Sequence, residues 1–213
     1  MMLIYAVADI HGKHNRIELI RETILKSAPD VLVIAGDITG LMNSGSVIAR
    51  LNDMPVPVLA VRGNSDSPGV ENLIEKSPNI SSLHLKKVDM NGASFAGVSG
   101  TVPIPFMSRM RFREKRVAET IEPLLNGHSV LVVHPPPRGV LDQVFGKFSA
   151  GCRCLHDIIL KRQPKLLICG HIHERSGTEF IGKTLVVNCS MGLRGAGAMI
   201  EFHHDKEIKA EML

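Results

Sequence analysis

The segment from Val31 to Asp37, Val-Leu-Val-Ile-Ala-Gly-Asp, constrains the fold of this chain more than any other stretch. It is an unbroken apolar run without polar alternation, which is typical of a strand covered on both faces inside the sheet of an α/β protein. The run predicts a strand over residues 31–35 and places Asp37 at its carboxyl end, where open α/β sheets hold ligands. A carboxylate there can also cap the next helix, and one strand alone does not decide between the two roles.

The length and composition of the chain fit one soluble domain. A chain of 213 residues can bury a large core, and 44% hydrophobic with 22% charged residues is ordinary for a globular protein. We therefore predict a single domain over residues 1–213. No stretch has the pattern of a signal peptide or a membrane span, and the four cysteines fit reduced thiols. These features predict a cytoplasmic protein with no membrane partner.

Local patterns predict the elements that surround the first strand. We expect strands near residues 3–8, 56–61, 82–85, 86–90, 94–98, 129–133 and 165–169, and hairpins within 180–187 and 198–212. Helices are expected near residues 17–25, 43–52, 70–75, 110–125 and 152–162, the second with Ser44 or Ser46 as its cap. Asn91-Gly92 predicts a tight hairpin turn.

A short apolar strand followed by a ligand-type side chain occurs five times. The side chains that follow these strands are Asp9 and His11, Asp37, Asn64, His134, and His171 with His173. Carboxylates and imidazoles without thiolates suit manganese, iron, zinc or nickel, and these candidates outnumber the ligands of one tetrahedral zinc ion. We therefore predict two divalent cations, with manganese as the first choice and Asp37 as the anionic bridge that offsets their repulsion.

As a set, Asp9-x-His11, Gly36-Asp37, Gly63-Asn64, His134 and Gly170-His171-x-His173 resemble the motifs of the calcineurin-like metallophosphoesterases, in the same order. The short chain is similar to the small prokaryotic members of that family. The resemblance implies a four-layer α/β/β/α sandwich of two mixed β-sheets flanked by helices. It also implies that Asp9, His11 and His173 hold one metal, that Asn64, His134 and His171 hold the other, and that Asp37 joins them.

One position departs from the family pattern. The family has histidine after the asparagine, where it protonates the leaving oxygen, whereas this chain has Asn64-Ser65-Asp66. A serine hydroxyl is too weak an acid for that role, and loss of a positioned acid costs about 10²–10⁴ in rate. Small family members without this histidine resemble phosphodiesterases for activated or cyclic substrates more than monoesterases.

The site residues are assigned roles on this basis. Asp37, Asn64 and Asp66 are predicted as catalytic, and Arg62 and Ser65 as substrate-binding. For Arg62, phosphate contact and a structural salt bridge remain equally open.

Two further groups of residues are interpreted as ordinary surface features. His14 and His84 are alternative proton donors, but we expect both to be exposed surface histidines. A basic cluster at residues 109–116 is interpreted as a solvated helix face rather than a surface that steers substrate.

These observations predict a metal-dependent phosphodiesterase that uses a metal-bridging hydroxide, with a small phosphorylated substrate as its partner. The alternative is a non-catalytic metal-binding scaffold or interaction module, because a retromer subunit of similar fold also lacks the histidine. A nuclease is a third interpretation, but the net charge of +4 is too mild for a dedicated nucleic-acid binder. Homo-oligomerisation is left open.

Overall fold

The computed structural model describes residues 1–40, 43–100, 119–193 and 195–213. The elements within these ranges are β1 (Met2–Val7), α1 (His14–Ser27), β2 (Val31–Ala35), α2 (Ser44–Asn52), β3 (Val58–Val61), α3 (Gly69–Glu75), β4 (Ile80–Ser82), β5 (Lys87–Met90), β6 (Ala93–Val98), β7 (Ser129–Val133), β8 (Gln143–Val144), β9 (Phe148–Ser149), α4 (Arg153–Arg162), β10 (Leu166–Cys169), β11 (Gly177–Ile181), β12 (Thr184–Asn188), β13 (Ala198–Phe202) and β14 (Lys209–Met212). Short 3-10 turns occupy Glu122–Leu124 and His173–Arg175.

Two six-stranded mixed sheets form the centre of the fold. Sheet I has the order β14-β13-β1-β2-β3-β4, in which β1 to β4 run parallel and β13 and β14 pair antiparallel. Sheet II has the order β11-β12-β10-β7-β6-β5, with four parallel inner strands and an antiparallel strand at each edge. The prediction of two mixed sheets is confirmed.

The alternating side chains of β2 explain why its sequence is apolar throughout. Val31, Val33 and Ala35 belong to the core between the two sheets, whereas Leu32 and Ile34 pack against the helices α1 to α3 on the outer face of sheet I. A third cluster places α4 on the outer face of sheet II. The layers are therefore helix, sheet, sheet and helix, as the resemblance implied.

The local predictions hold with three corrections, of which the first is that the strand predicted over residues 82–85 is β4 at Ile80–Ser82. The Asn91-Gly92 turn is confirmed, since both residues have the left-handed backbone that such a turn requires, with φ of 49° and 80°. The predicted serine cap of α2 is wrong: Asn43 precedes the helix without a side-chain cap, and the Ser46 hydroxyl donates to the Asn43 carbonyl. Strand β3 begins at Val58, after Pro57, rather than at residue 56.

Some expectations fall outside the described residues. The basic cluster at 109–116 and most of the helix predicted there lie within residues 101–118, which the structure does not describe. Among the described residues, no helix is long and apolar enough to cross a membrane.

Candidate metal centre

The predicted ligands gather where the strands of both sheets end. Asp9, Asp37 and Asn64 follow β1, β2 and β3 of sheet I. His134 and the His171–His173 segment follow β7 and β10 of sheet II. Because each group of strands is parallel, the carboxyl ends share one edge of their sheet. The site is therefore built jointly by the two sheets.

Four of these residues have a backbone conformation that is uncommon outside glycine. Asp9, His11, Asp37 and His171 have φ of 61°, 52°, 50° and 70°. A left-handed residue costs about 1–2 kcal/mol, and such residues concentrate at functional sites. Gly36 has φ of 90° just before Asp37, and a Cβ there would lie 2.5 Å from Nδ1 of His134. The backbone is thus shaped to bring these side chains together.

The first ligand group consists of Asp9, His11 and His173, whose ligand atoms lie within 4.8 Å of one another. Oδ1 of Asp9 is 3.3 Å from Nε2 of His173. Apart from this contact with His173, the buried Oδ1 accepts no hydrogen bond from the described residues. A buried carboxylate oxygen with no further donor is costly unless a cation satisfies it.

The second group converges on Nε2 of His134, a fully buried side chain. This nitrogen lies 3.0 Å from Oδ1 of Asn64, 3.2 Å from Nδ1 of His171 and 3.4 Å from Oδ1 of Asp37. Nδ1 of His134 is 2.9 Å from the Ala35 carbonyl oxygen. That contact fits an Nδ1–H donor, which leaves the Nε2 lone pair directed toward the other ligands.

Asp37 lies between the two groups. Its Oδ2 is 3.9 Å from Nε2 of His11 in the first group, while its Oδ1 faces His134 in the second. Burial alone would raise the pKa of Asp37, but its close contact with His134 and the hydrogen bonds from Ser65 hold that pKa well below its usual range. The carboxylate is therefore anionic at neutral pH.

Burial and the neighbouring His134 lower the pKa of His171 to about 4. His171 is therefore a neutral imidazole at pH 7, the form that binds metals. Burial would lower the pKa of His134 as well, but its contact with Asp37 raises it.

Ser65 forms hydrogen bonds with Asp37. Its backbone N–H donates to Oδ1 of Asp37, and its hydroxyl donates to Oδ2, both at 2.8 Å. The residue that replaces the family histidine thus binds both carboxylate oxygens at once. The predicted contact of Ser65 with substrate stays a prediction. The hydroxyl that would make this contact already donates to Asp37.

Asp66 has the contacts of a positioning residue. It is buried, and its carboxylate accepts hydrogen bonds from the backbone N–H of Ile38, Thr39 and Gly63 and from the Thr39 hydroxyl, at 2.7–3.0 Å. These bonds fasten the loop after β2 to the loop after β3. The catalytic role predicted for Asp66 stays a prediction, while its contacts hold Asp37 and Asn64 in place.

Arg62 forms a salt bridge, which is one of the two roles that the sequence left open for it. Its Nε donates to Glu71 at 2.9 Å, and Glu71 also accepts hydrogen bonds from Ser82 and Ser99. Burial would raise the pKa of Glu71, but these hydrogen bonds hold it below its usual value. The substrate-binding role of Arg62 stays a prediction. The guanidinium that would bind substrate already donates to the Glu71 carboxylate.

The two alternative proton donors differ in their surroundings. His14 is exposed, as expected, whereas His84 is half-buried and its Nδ1 accepts the Ser99 N–H at 3.0 Å. The expectation of an exposed His84 is wrong, because the isolated bridge that pairs His84 with Gly97 draws it against sheet II.

Three supporting residues were missed at the sequence level. Buried Asn188 donates from Nδ2 to the Ile172 carbonyl between the two histidine ligands, at 2.9 Å. Burial would raise the pKa of Asp9, but its contact with His173, the nearby His134 and a hydrogen bond from Ser190, two residues after Asn188, lower that pKa. Asn188 is the last residue of the apolar strand β12 and Ser190 follows it, so this strand resembles the five strands that were recognised.

Arg16 is the third missed residue. Its guanidinium donates to the backbone carbonyls of Asp9 and Gly192, and its side chain is buried. It thus ties the first ligand loop to the loop after β12. A basic residue on a helix is usually solvated, so its sequence context gave no signal.

Comparison with known proteins identifies relatives across most of the chain. The family model described as calcineurin-like phosphoesterase matches residues 2–175. An uncharacterized protein of Methanocaldococcus jannaschii is 28% identical over 198 residues, which cover 89% of this chain and 88% of that protein.

Solved structures share the fold at low sequence identity. A protein of Thermus thermophilus has a TM-score of 0.71 and 16% identity over 99% of this chain and 98% of its own. A structure described as a novel archaeal phosphodiesterase has a TM-score of 0.57 and 15% identity over the whole of both chains.

Proposed function

Because this chain belongs to the calcineurin-like phosphoesterase family, we propose that it is a phosphodiesterase that depends on two divalent cations. The observation that carries the proposal is the position of Asp37, whose two carboxylate oxygens face different ligand groups. A carboxylate between two sets of imidazole and oxygen donors is the arrangement that two cations require, since a shared anion offsets their repulsion.

The residues present fit such cations. Asp9, His11 and His173 would hold one ion, and the buried Oδ1 of Asp9 favours a cation at that point. Asn64, His134 and His171 would hold the other. Oxygen and nitrogen donors without thiolate suit manganese first, with iron, zinc or nickel as alternatives. When bound, the cations would supply charge neutralisation for the phosphoryl oxygens and activation of the attacking water.

The protein's own contribution is to hold the ligands in place before substrate arrives. The Ala35 carbonyl fixes the ring of His134, Asn188 fixes the loop between His171 and His173, and Ser65 fixes Asp37. Such supporting contacts contribute about 10–100-fold to metal affinity or activity.

The proposed substrate class follows from the serine at position 65, where the family has histidine. Without a positioned imidazole to protonate the leaving group, substrates with good leaving groups are favoured, which include aryl and cyclic diesters. The archaeal phosphodiesterase of the same fold supports this choice. A small phosphorylated partner and a cytoplasmic location remain predictions.

The proposal is tested by metal analysis and a substrate screen. The purified protein is expected to bind two divalent ions per chain and, with added manganese, to hydrolyse aryl phosphodiesters or cyclic nucleotides faster than phosphomonoesters. Two bound ions with no hydrolysis of any ester would contradict the enzymatic proposal and favour the scaffold alternative. A preference for monoesters would contradict the substrate class alone.

A further inference from the structure

A loop whose two ends are joined by hydrogen bonds follows the strand that leads to His134. We call residues 138–151 the arm. Its two ends meet at Cys152, whose N–H donates to the Pro136 carbonyl at 2.9 Å and whose carbonyl accepts the Arg138 N–H at 3.0 Å. The arm begins four residues after His134, so it emerges from the sheet edge that holds the ligands.

The arm is held in a defined conformation. Strands β8 and β9 pair as a hairpin within it, with Val144 opposite Phe148. Asp142 is buried at the base of the hairpin, where its carboxylate accepts the Gly151 N–H at 3.1 Å and its carbonyl accepts the Ala150 N–H at 2.9 Å. These bonds order a segment that has little core of its own.

The arm also contacts the segment that carries His171 and His173. The guanidinium of Arg175 donates to Oε1 of Gln143 in β8. Arg175 lies two residues after His173, within the same 3-10 turn. The arm therefore connects the segment that follows His134 with the 3-10 turn that carries His173.

Two large apolar side chains project from this hairpin into solvent. Phe145 is 79% exposed and Phe148 is 69% exposed. Folding gains little from either ring at that exposure, because the hydrophobic contribution depends on area removed from water. A contiguous exposed apolar patch marks a site of ligand or partner contact.

We propose that Phe145 and Phe148 contact an aromatic group of the substrate whose phosphate is held at the metal centre. The proposal rests on the proposed function. Two phenylalanine rings bury about 150–250 Å² each, whereas a stable protein interface buries about 800 Å² on each partner. The area fits one aromatic group, such as a nucleobase or an aryl ester, and is too small for a protein surface.

Binding measurements on the manganese-loaded full chain test this inference. We compare the dissociation constants of AMP, which has an aromatic base, and of inorganic phosphate, which has none. Phe145→Ala/Phe148→Ala is expected to weaken AMP binding by roughly tenfold to a hundredfold, since stacking contributes about that much per base. Phosphate binding is expected to stay close to the wild-type value.

Phe180→Ala is the matched control. Phe180 is also exposed, at 57%, but lies on the edge strand β11, outside the arm. It is expected to change neither constant. A double variant that binds AMP as the wild type does, or that loses AMP and phosphate equally, would overturn the role of the arm.

A second variant reports on the contact directly. The chain has no tryptophan, so Phe148→Trp introduces a single indole whose emission is expected to change with AMP but not with phosphate. An unchanged emission would contradict the contact. A double variant that changes the sedimentation of the protein, with AMP binding intact, would overturn the substrate contact and assign the arm to self-association.

The proposed function and the inference about the arm can be refuted separately. Wild-type protein that binds neither phosphate nor AMP would refute the proposed function and the inference together. Wild-type protein that binds both ligands, with no effect of the phenylalanines, would refute the inference alone.

Discussion

Gly63→Ala tests how closely the chain holds Asp37. A Cβ on Gly63 would lie 2.8 Å from Cγ of Asp37 and nearer still to its Oδ1 and backbone nitrogen. Ordinary contact between carbon atoms needs about 3.5–4.0 Å, so the Asp37 carboxylate must move by roughly 1 Å. Glycine is required here for space rather than for a left-handed backbone.

A shift of this size exceeds what a metal centre tolerates. Catalytic geometry must hold within about 0.5 Å, and a misplacement of about 1 Å costs about 10² in rate. We therefore expect Gly63→Ala to lose at least one of the two cations and at least about 100-fold in activity. The overlap should also destabilise the protein by about 1–3 kcal/mol.

Gly45→Ala is the matched control, because no atom lies within 4 Å of its added Cβ on helix α2. It should raise stability by up to about 1 kcal/mol and leave metal binding unchanged. The assays are metal content by elemental analysis and urea unfolding of both variants. Gly63→Ala protein that keeps two cations and full activity would refute the close approach to Asp37.

Further substitutions probe the surroundings. Ser65→Ala should weaken manganese binding about tenfold through the lost hydroxyl contact, measured by titration calorimetry. Ser65→His should raise turnover about tenfold or more on diesters with poor leaving groups, and no gain on any diester in metal-loaded protein would refute the missing-acid argument. Glu71→Gln should cost about 1–3 kcal/mol at about pH 7 in urea unfolding. Because the folded pKa of Glu71 is depressed, this deficit should fade as the pH falls below the ordinary value of 4.5, and a constant deficit would contradict it. Tyr5→Phe should cost about 1–2 kcal/mol by the same assay, since the buried hydroxyl, whose pKa burial raises to about 12, donates to the Ala196 carbonyl at 2.6 Å; an unchanged stability would refute that contribution.

The layers and the convergence of the polar strand ends were predictable from the sequence because both depend on local patterns. An apolar run such as Val31–Ala35 specifies a strand buried on both faces, and parallel strands bring their carboxyl ends together. The five polar strand ends were therefore recognisable without knowledge of the contacts. The order of the motifs then supplied the architecture through a family resemblance.

The supporting contacts depend on distances between segments, which no local pattern encodes. The contact of Ser65 with Asp37 joins two loops, and the choice of Glu71 as the partner of Arg62 depends on how α3 packs beside β3. Asn188 is a different case, because it ends an apolar strand much as the predicted ligands follow theirs. The same pattern, applied to β12, would have found it.

The central claim is that Asp37 joins two cations, and the metal content of wild-type and Asp37→Asn protein tests it most directly. Elemental analysis of manganese-loaded wild-type protein should give two ions per chain, and Asp37→Asn should bind poorly at both sites and be inactive. Retention of two ions and full activity by Asp37→Asn, or a single ion in the wild type, would contradict the proposed centre.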